Sequence, residues 1–72
     1  MTTMTMEDLS LVAQQALVDS PFYALRQLRV DRQGTSLLLS GSVTTFYHKQ
    51  RAQELIRSIA DGVTVVNDVK VS

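Results

Sequence analysis

The sequence predicts an α+β fold in which two helices pack on one face of a three-stranded sheet, in the order helix, strand, strand, helix, strand. Three observations predict it. A helical apolar period precedes Pro21, period-two alternation flanks Gly34, and a second helical stripe leads into a valine-rich segment. Chains near this length bury only about 60% of their unfolded surface. A groove, a sheet face or an oligomer contact is therefore expected as the functional site, rather than a deep cleft.

The first helix is predicted from apolar residues at the i, i+3, i+4, i+7 spacing of one helix face. They are Met6, Leu9, Val12, Ala13, Ala16 and Leu17. Thr5 is the expected N-cap, and Glu7 and Asp8 place negative charge in the first turn, where the helix dipole favours it. Pro21 disfavours helical dihedrals at the residue before it, so the helix is expected to end near Asp19.

Two strands joined by a turn at Gly34 follow, because apolar and polar residues alternate on both sides of it. The residues predicted to face the core are Leu28, Val30, Leu37, Leu39 and Val43. Leu38 points to the other face of the second strand, residues 37–43. Gly41 falls on the inward face, where a missing side chain marks a bend or a close packing approach.

The second helix is capped by Thr44 or Thr45 and carries one apolar stripe. The stripe contains Ala52, Leu55, Ile56 and Ile59, with His48 one turn earlier. Asp61-Gly62 is expected to end this helix, with Gly62 in a left-handed C′ position.

The last strand is predicted over residues 63–71, with Val69 and Val71 in the core. Val65 and Val66 adjoin, which breaks the alternation. A β-bulge or a register break near Val66 is the simplest explanation.

Composition excludes several classes of protein. The seven basic and seven acidic side chains cancel, so no overall positive charge indicates nucleic-acid binding. Cysteine is absent, which removes disulfides, thiolate nucleophiles and cysteine-based zinc sites. No apolar run is long enough to span a bilayer.

Residues 5–72 are expected to form a single domain, and residues 1–4 are expected to be disordered. The first ten residues lack the basic start and apolar stretch of a secretory signal. The expected location is therefore cytoplasmic for the chain as it stands. It would be periplasmic or in the envelope if the chain is a domain of a longer exported protein.

The most specific motif lies in the second half of the chain. It reads Leu37-x-Leu39-x-Gly41-x-Val43, then Arg51-Ala52, then Gly62-Val63-x-x-Val66-Asn67-x-Val69-x-Val71. This pattern, over residues 11–71, resembles the BON domain, a small bacterial module often found in envelope proteins. The resemblance implies a two-layer αββαβ sandwich with a mixed three-stranded sheet. It also implies a non-enzymatic role in binding phospholipid surfaces or partner proteins.

Phe46 is the first candidate contact residue. A step of about 100° per residue places it opposite the apolar stripe of the second helix, beside Lys49, Gln53 and Arg57. An exposed aromatic ring beside two cations suits an anionic phospholipid interface. The alternative is that Phe46 packs over the corner between strand and helix as a hydrophobic staple.

Leu38 and Arg29 are candidate contacts on the outer face of the sheet. They support a second hypothesis, in which the domain binds a protein or a second copy through the open sheet face or an edge strand.

His48 is the only histidine, and Arg51 and Ala52 occupy the positions where a helix-borne metal site would need ligands. A half-buried histidine at the edge of the core is the favoured interpretation. No serine is placed beside a base and an orienting group, and no carboxylate pair suggests acid–base catalysis. The sequence therefore predicts a non-enzymatic protein with no cofactor and no metal.

Overall fold

The structure, a computed structural model, describes residues 5–72 and confirms the α+β fold. Its elements are α1 (Met6–Val18), a 3-10 helix (Tyr23–Gln27), β1 (Arg29–Gln33), β2 (Ser36–Val43), α2 (Phe46–Ile59) and β3 (Thr64–Val71). The sheet order is β1-β2-β3, with β1 antiparallel and β3 parallel to the central β2. Both helices pack on one face of this mixed sheet. The expected disorder of residues 1–4 lies outside the described residues.

α1 begins and ends where the sequence predicts. The Thr5 hydroxyl accepts from the Asp8 backbone N–H at 3.0 Å, and the Asp8 carboxylate accepts from the Thr5 N–H at 3.3 Å, which completes a capping box. Asp19 is the C-cap, and Ala13 and Leu17 are buried.

The 3-10 helix is an element that the sequence analysis does not predict. Ser20, only 5% exposed, anchors it at both ends. Its hydroxyl accepts from the Phe22 N–H at 3.1 Å, and its carbonyl accepts from Arg26 Nε at 2.8 Å. The turn buries Leu25 and leads directly into β1.

Leu28 and Gly41 explain the packing at one corner of the core. β1 begins at Arg29, so Leu28 precedes the strand, yet Leu28 is 1% exposed and its side chain lies against Gly41. A Cβ at Gly41 would lie 2.7 Å from Leu28 Cδ2, and Gly41 has φ +127°. The predicted close approach at Gly41 is confirmed.

The prediction of a bulge or register break near Val66 is wrong. β3 pairs with β2 without interruption, from Ser36 opposite Thr64 to Val43 opposite Val71. Val66 simply points to the outer face, while the polar residue Asn67 shares the inward phase with the core residue Val69. The alternation in the sequence is broken because Asn67, a polar residue, occupies a position that faces inward.

The prediction that Val71 belongs to the core is also wrong. Val71 is 44% exposed, because it is the last residue of an edge strand and only β2 lies beside it. The other predicted core residues of the sheet are buried. They are Leu28, Val30, Leu37, Leu39, Val43 and Val69.

α2 starts as predicted with Thr45 as its N-cap, but it ends earlier than expected. Its C-cap is Ala60, so the C′ position falls on Asp61 rather than on Gly62. Gly62 does have the expected left-handed conformation, with φ +82°. It stands one position further along, in the turn that leads to β3.

The free edge of β1 is occupied by a side chain of α1. Gln14 Nε2 donates to the Leu28 carbonyl at 2.9 Å, and Gln14 Oε1 accepts from the Val30 N–H at 2.8 Å. A neighbouring parallel strand would make the same pair of bonds to residues 28 and 30. The amide of Gln14 therefore substitutes for a fourth strand at this point.

Candidate functional site

An open groove of about 310 Å³ runs between α2 and the edge strand β3. It is lined by Phe46, Lys49, Gln50, Gln53, Glu54 and Arg57 of α2 and by Asn67 of β3. Four of the six predicted contact residues therefore lie together, since they recur every three or four positions along one helix face. We refer to this site as the α2–β3 groove.

Phe46 is the first residue of α2 and is 66% exposed. Its position is fixed by the cap of the helix, in which the Thr45 hydroxyl accepts from the His48 backbone N–H at 3.2 Å. The exposure agrees with the prediction that Phe46 points away from the core. It contradicts the alternative in which the ring packs over the strand-to-helix corner.

Two cations give the groove a positive character. Neither Lys49 nor Arg57 has a carboxylate within 4.0 Å in the part of the chain that the structure describes. Glu54 also lines the groove, but its carboxylate lies 3.9 Å from Arg51, outside the groove. That exposed pair adds little to stability. The groove lining contains Lys49, Arg57 and Glu54, so its positive charges exceed its negative charge by one.

Asn67 connects β3 to α2 at the side of the groove. Its Nδ2 donates to the Lys49 carbonyl and to Gln53 Oε1, both at 3.1 Å, and its Oδ1 accepts from the Val69 N–H at 3.1 Å. These bonds satisfy a polar side chain in an inward position. They also orient Gln53, whose Nε2 has no partner among residues 5–72 and is available as a donor.

The other two predicted contact residues lie on the far side of the sheet. Arg29 is opposite Ser40, and Leu38 is opposite Val66, in the phase that points away from both helices. Arg29 is exposed and Leu38 is half-buried. The six predicted residues thus form two separate surfaces rather than one.

An aromatic cluster that the residue pattern does not predict lies where the 3-10 helix meets α2. The rings of Phe22, Tyr47 and His48 pack edge to face, with centroids 5.5 to 6.3 Å apart. The Arg51 guanidinium lies 5.2 Å from the centroid of Phe22. The i, i+4 spacing of Tyr47 and Arg51 is visible in the sequence, but Phe22 joins them only through tertiary packing. The cluster packs Phe22, just before the 3-10 helix, against Tyr47 and His48 in the first turn of α2.

His48 is half-buried, as predicted, and takes part in this local packing. Its Nδ1 lies 2.7 Å from the Thr45 hydroxyl, within the N-cap of α2. No group of three His, Cys, Asp or Glu residues within residues 5–72 has a geometry that would hold a metal ion. Over the same residues, no helix has the length and apolar character needed to cross a membrane.

Comparison with known families agrees with this architecture. The family model for the BON domain matches residues 7–72, nearly the whole chain. No curated protein gives a significant match. The family match spans every helix and strand described above, apart from the first residue of α1. The chain therefore belongs to the BON domain family, as the pattern of its second half suggests.

Proposed function

We propose that this BON domain is a binding module that associates with anionic phospholipid surfaces through the α2–β3 groove. The observation that carries the proposal is the exposed ring of Phe46 on the same face of α2 as Lys49 and Arg57, two cations that have no carboxylate within 4.0 Å in residues 5–72. An aromatic ring enters the boundary between headgroups and acyl chains, while cations pair with lipid phosphates. The Gln53 amide adds a neutral donor for a phosphate oxygen.

The free energies expected from the two cations and the phenylalanine predict weak and reversible binding to lipid. Each cation near an anionic membrane contributes about 1 kcal/mol, and full burial of a phenylalanine contributes about 1.5–3 kcal/mol. Their sum, before ordering costs, is about 4 kcal/mol, which corresponds to a Kd near 1 mM. Binding should therefore be measured with lipid in millimolar excess.

The test is co-sedimentation with vesicles of phosphatidylglycerol mixed with phosphatidylcholine, compared with phosphatidylcholine alone. We expect binding that needs the acidic lipid and weakens as salt is added, because salt screens exposed charges. Lys49→Glu removes one attraction and adds one repulsion, about 2 kcal/mol in total, and should weaken binding about 30-fold. Phe46→Ala removes most of the roughly 1.5–3 kcal/mol assigned to the ring and should weaken binding about tenfold or more.

Two matched controls separate the groove from general surface effects. Lys70→Glu makes the same charge reversal on the outer face of the sheet, at a side chain that is 75% exposed. Leu11→Ala removes an apolar side chain that is 65% exposed on α1. Both should bind acidic vesicles like the unaltered protein. Absence of binding at low salt, or equal losses in the controls, would refute the proposal.

We infer that the role is binding rather than catalysis. The one histidine is packed against Phe22 and Tyr47 and participates in the cap of α2, so its ring is committed to local structure. Mass spectrometry of vesicle lipids after long incubation should show unchanged lipid species. Accumulation of a hydrolysis product that depends on the protein would contradict the inference.

A further inference from the structure

Both edges of the sheet carry a side-chain amide where a further strand would bind. On β1, Gln14 bonds to the Leu28 carbonyl and the Val30 N–H. On β3, Asn67 Oδ1 accepts from the Val69 N–H. Strand addition at these points would have to displace an amide that is already bonded.

The direction of the Val69 N–H follows from the register of β3. The Ser72 N–H donates to the Val43 carbonyl at 3.0 Å, so even-numbered N–H groups of this segment point to β2. Odd-numbered groups, including Val69, point to the free edge. Asn67 therefore caps an edge group that a partner strand would otherwise use.

The outer face of the sheet is the broad surface that neither α1 nor α2 covers. Register places Asp31, Leu38 and Val66 in one row across the three strands. The next row contains Arg29, Ser40 and Asp68. An apolar centre at Leu38 is thus flanked by a cation on β1 and by the Asp68 carboxylate on β3. Asp68 Oδ1 lies 4.0 Å from Lys70 Nζ in its own chain, in an exposed pair of the kind that contributes little.

We propose that the outer face binds a second copy of the chain about a two-fold axis parallel to β2. Such an axis leaves each row in place and exchanges the two edge strands, so β1 of one copy lies over β3 of the other. Arg29 then faces Asp68 of the second copy, and the symmetry repeats that pair. Leu38 faces Leu38 of the second copy on the axis. Because the two-fold axis pairs these opposite charges twice, charge complementarity favours a second copy as the occupant of this face.

The dimensions of the face predict a weak dimer. Three strands are about 14 Å wide and four rows of alternate residues are about 20–27 Å long. The buried area is therefore on the order of 800 Å² in total, below the roughly 1,200–2,000 Å² of stable interfaces. Association should appear only at high protein concentration. The inference does not depend on lipid binding, because the α2–β3 groove lies on the other side of the sheet.

The test is sedimentation velocity of the full chain over a concentration series that extends to about 1 mM, the range of weak association. We expect the weight-average sedimentation coefficient to rise toward that of a dimer. Leu38→Glu should remove the rise, while Val18→Glu, the same kind of change at an exposed apolar residue of α1, should leave it unchanged. Circular dichroism verifies that the half-buried Leu38 position tolerates the change.

A charge exchange tests the geometry with exposed residues alone. Arg29→Asp and Asp68→Arg should each weaken association about tenfold or more, because each places like charges in two symmetric contacts. The double variant should restore it. A strict monomer at every concentration, or failure of the double variant to restore association, overturns the proposal. A different double variant, Arg29→Asp with Asp31→Arg, tests a two-fold axis perpendicular to the strands. If that variant restores association instead, the axis is not parallel to β2 and the proposal is overturned.

Discussion

Gly41→Ala should destabilise the domain more than its small size suggests. A Cβ at this position would lie 2.7 Å from Leu28 Cδ2 and 3.4 Å from Leu28 Cα. Leu28 is 1% exposed, so its methyl group has little room to move. Overpacking of this kind costs about 1–3 kcal/mol. Holding alanine at φ +127° costs about 1–3 kcal/mol more.

The total, about 2–6 kcal/mol, is comparable to the roughly 3–5 kcal/mol that one core supplies in a domain of this size. Urea unfolding followed by far-ultraviolet circular dichroism should therefore show a greatly lowered midpoint, or no folded baseline. Gly62→Ala is the control, because Gly62 also has positive φ, +82°, but no atom lies within 4 Å of the point that a Cβ would occupy there. Its loss should be limited to the backbone cost of about 1–3 kcal/mol.

A double variant separates the cost of steric overlap from the backbone cost of Gly41→Ala. Leu28→Ala with Gly41→Ala should lose less stability than the two single changes added together, because the shorter side chain removes the overlap. Equal losses in Gly41→Ala and Gly62→Ala, or strict additivity with Leu28→Ala, would refute the packing explanation.

Three further changes test the core, the cap and the protected edge. Leu39→Asp buries an unpaired charge at a fully buried position and should abolish cooperative unfolding in a thermal melt; a well-folded variant would contradict the core assignment. Thr45→Ala should cost about 0.5–2 kcal/mol in urea unfolding through loss of the N-cap, whereas Thr44→Ala should cost almost nothing. Gln14→Leu should expose the edge of β1 and increase light scattering on mild warming, and Gln15→Leu on the exposed side of α1 should not.

Periodicity was sufficient to predict the elements with strong apolar stripes. The stripe of α2 and the alternation of β2 identified Ala52, Ile56, Leu37 and Leu39, all of which are fully buried. Phe46 was placed by the same rule, since a helix face opposite the core follows from residue spacing alone. Helical periodicity therefore predicts which residues of α2 line the groove.

The sequence was insufficient where a polar side chain serves a distant backbone. Asn67 interrupts the valines of β3, and that interruption resembles a bulge until its bonds to α2 are known. Gln14 resembles any helix-surface glutamine, and its role depends on the position of β1 beside α1. Such contacts join residues 14 to 18 positions apart, so local periodicity carries no signal for them.

Lipid binding in the groove and dimerisation through the outer face together predict that two membranes are joined. Phe46 and Arg57 are eleven residues apart, about 16 Å along α2, so both reach one membrane only if α2 lies along its surface. A two-fold axis parallel to β2 reverses every direction perpendicular to the strands. The grooves of two copies then face opposite ways and cannot bind the same flat membrane.

Acidic vesicles should therefore cluster at protein concentrations that favour the dimer, and turbidity measures this directly. Leu38→Glu should bind vesicles like a monomer without clustering them. If Phe46→Ala weakens binding but Arg57→Glu does not, the contact is made by the end of α2 instead. The two-fold axis parallel to β2 leaves the Phe46 ends of both α2 helices on the same side of the dimer. The dimer would then bind one membrane through both ends, which strengthens binding, and vesicles would not cluster.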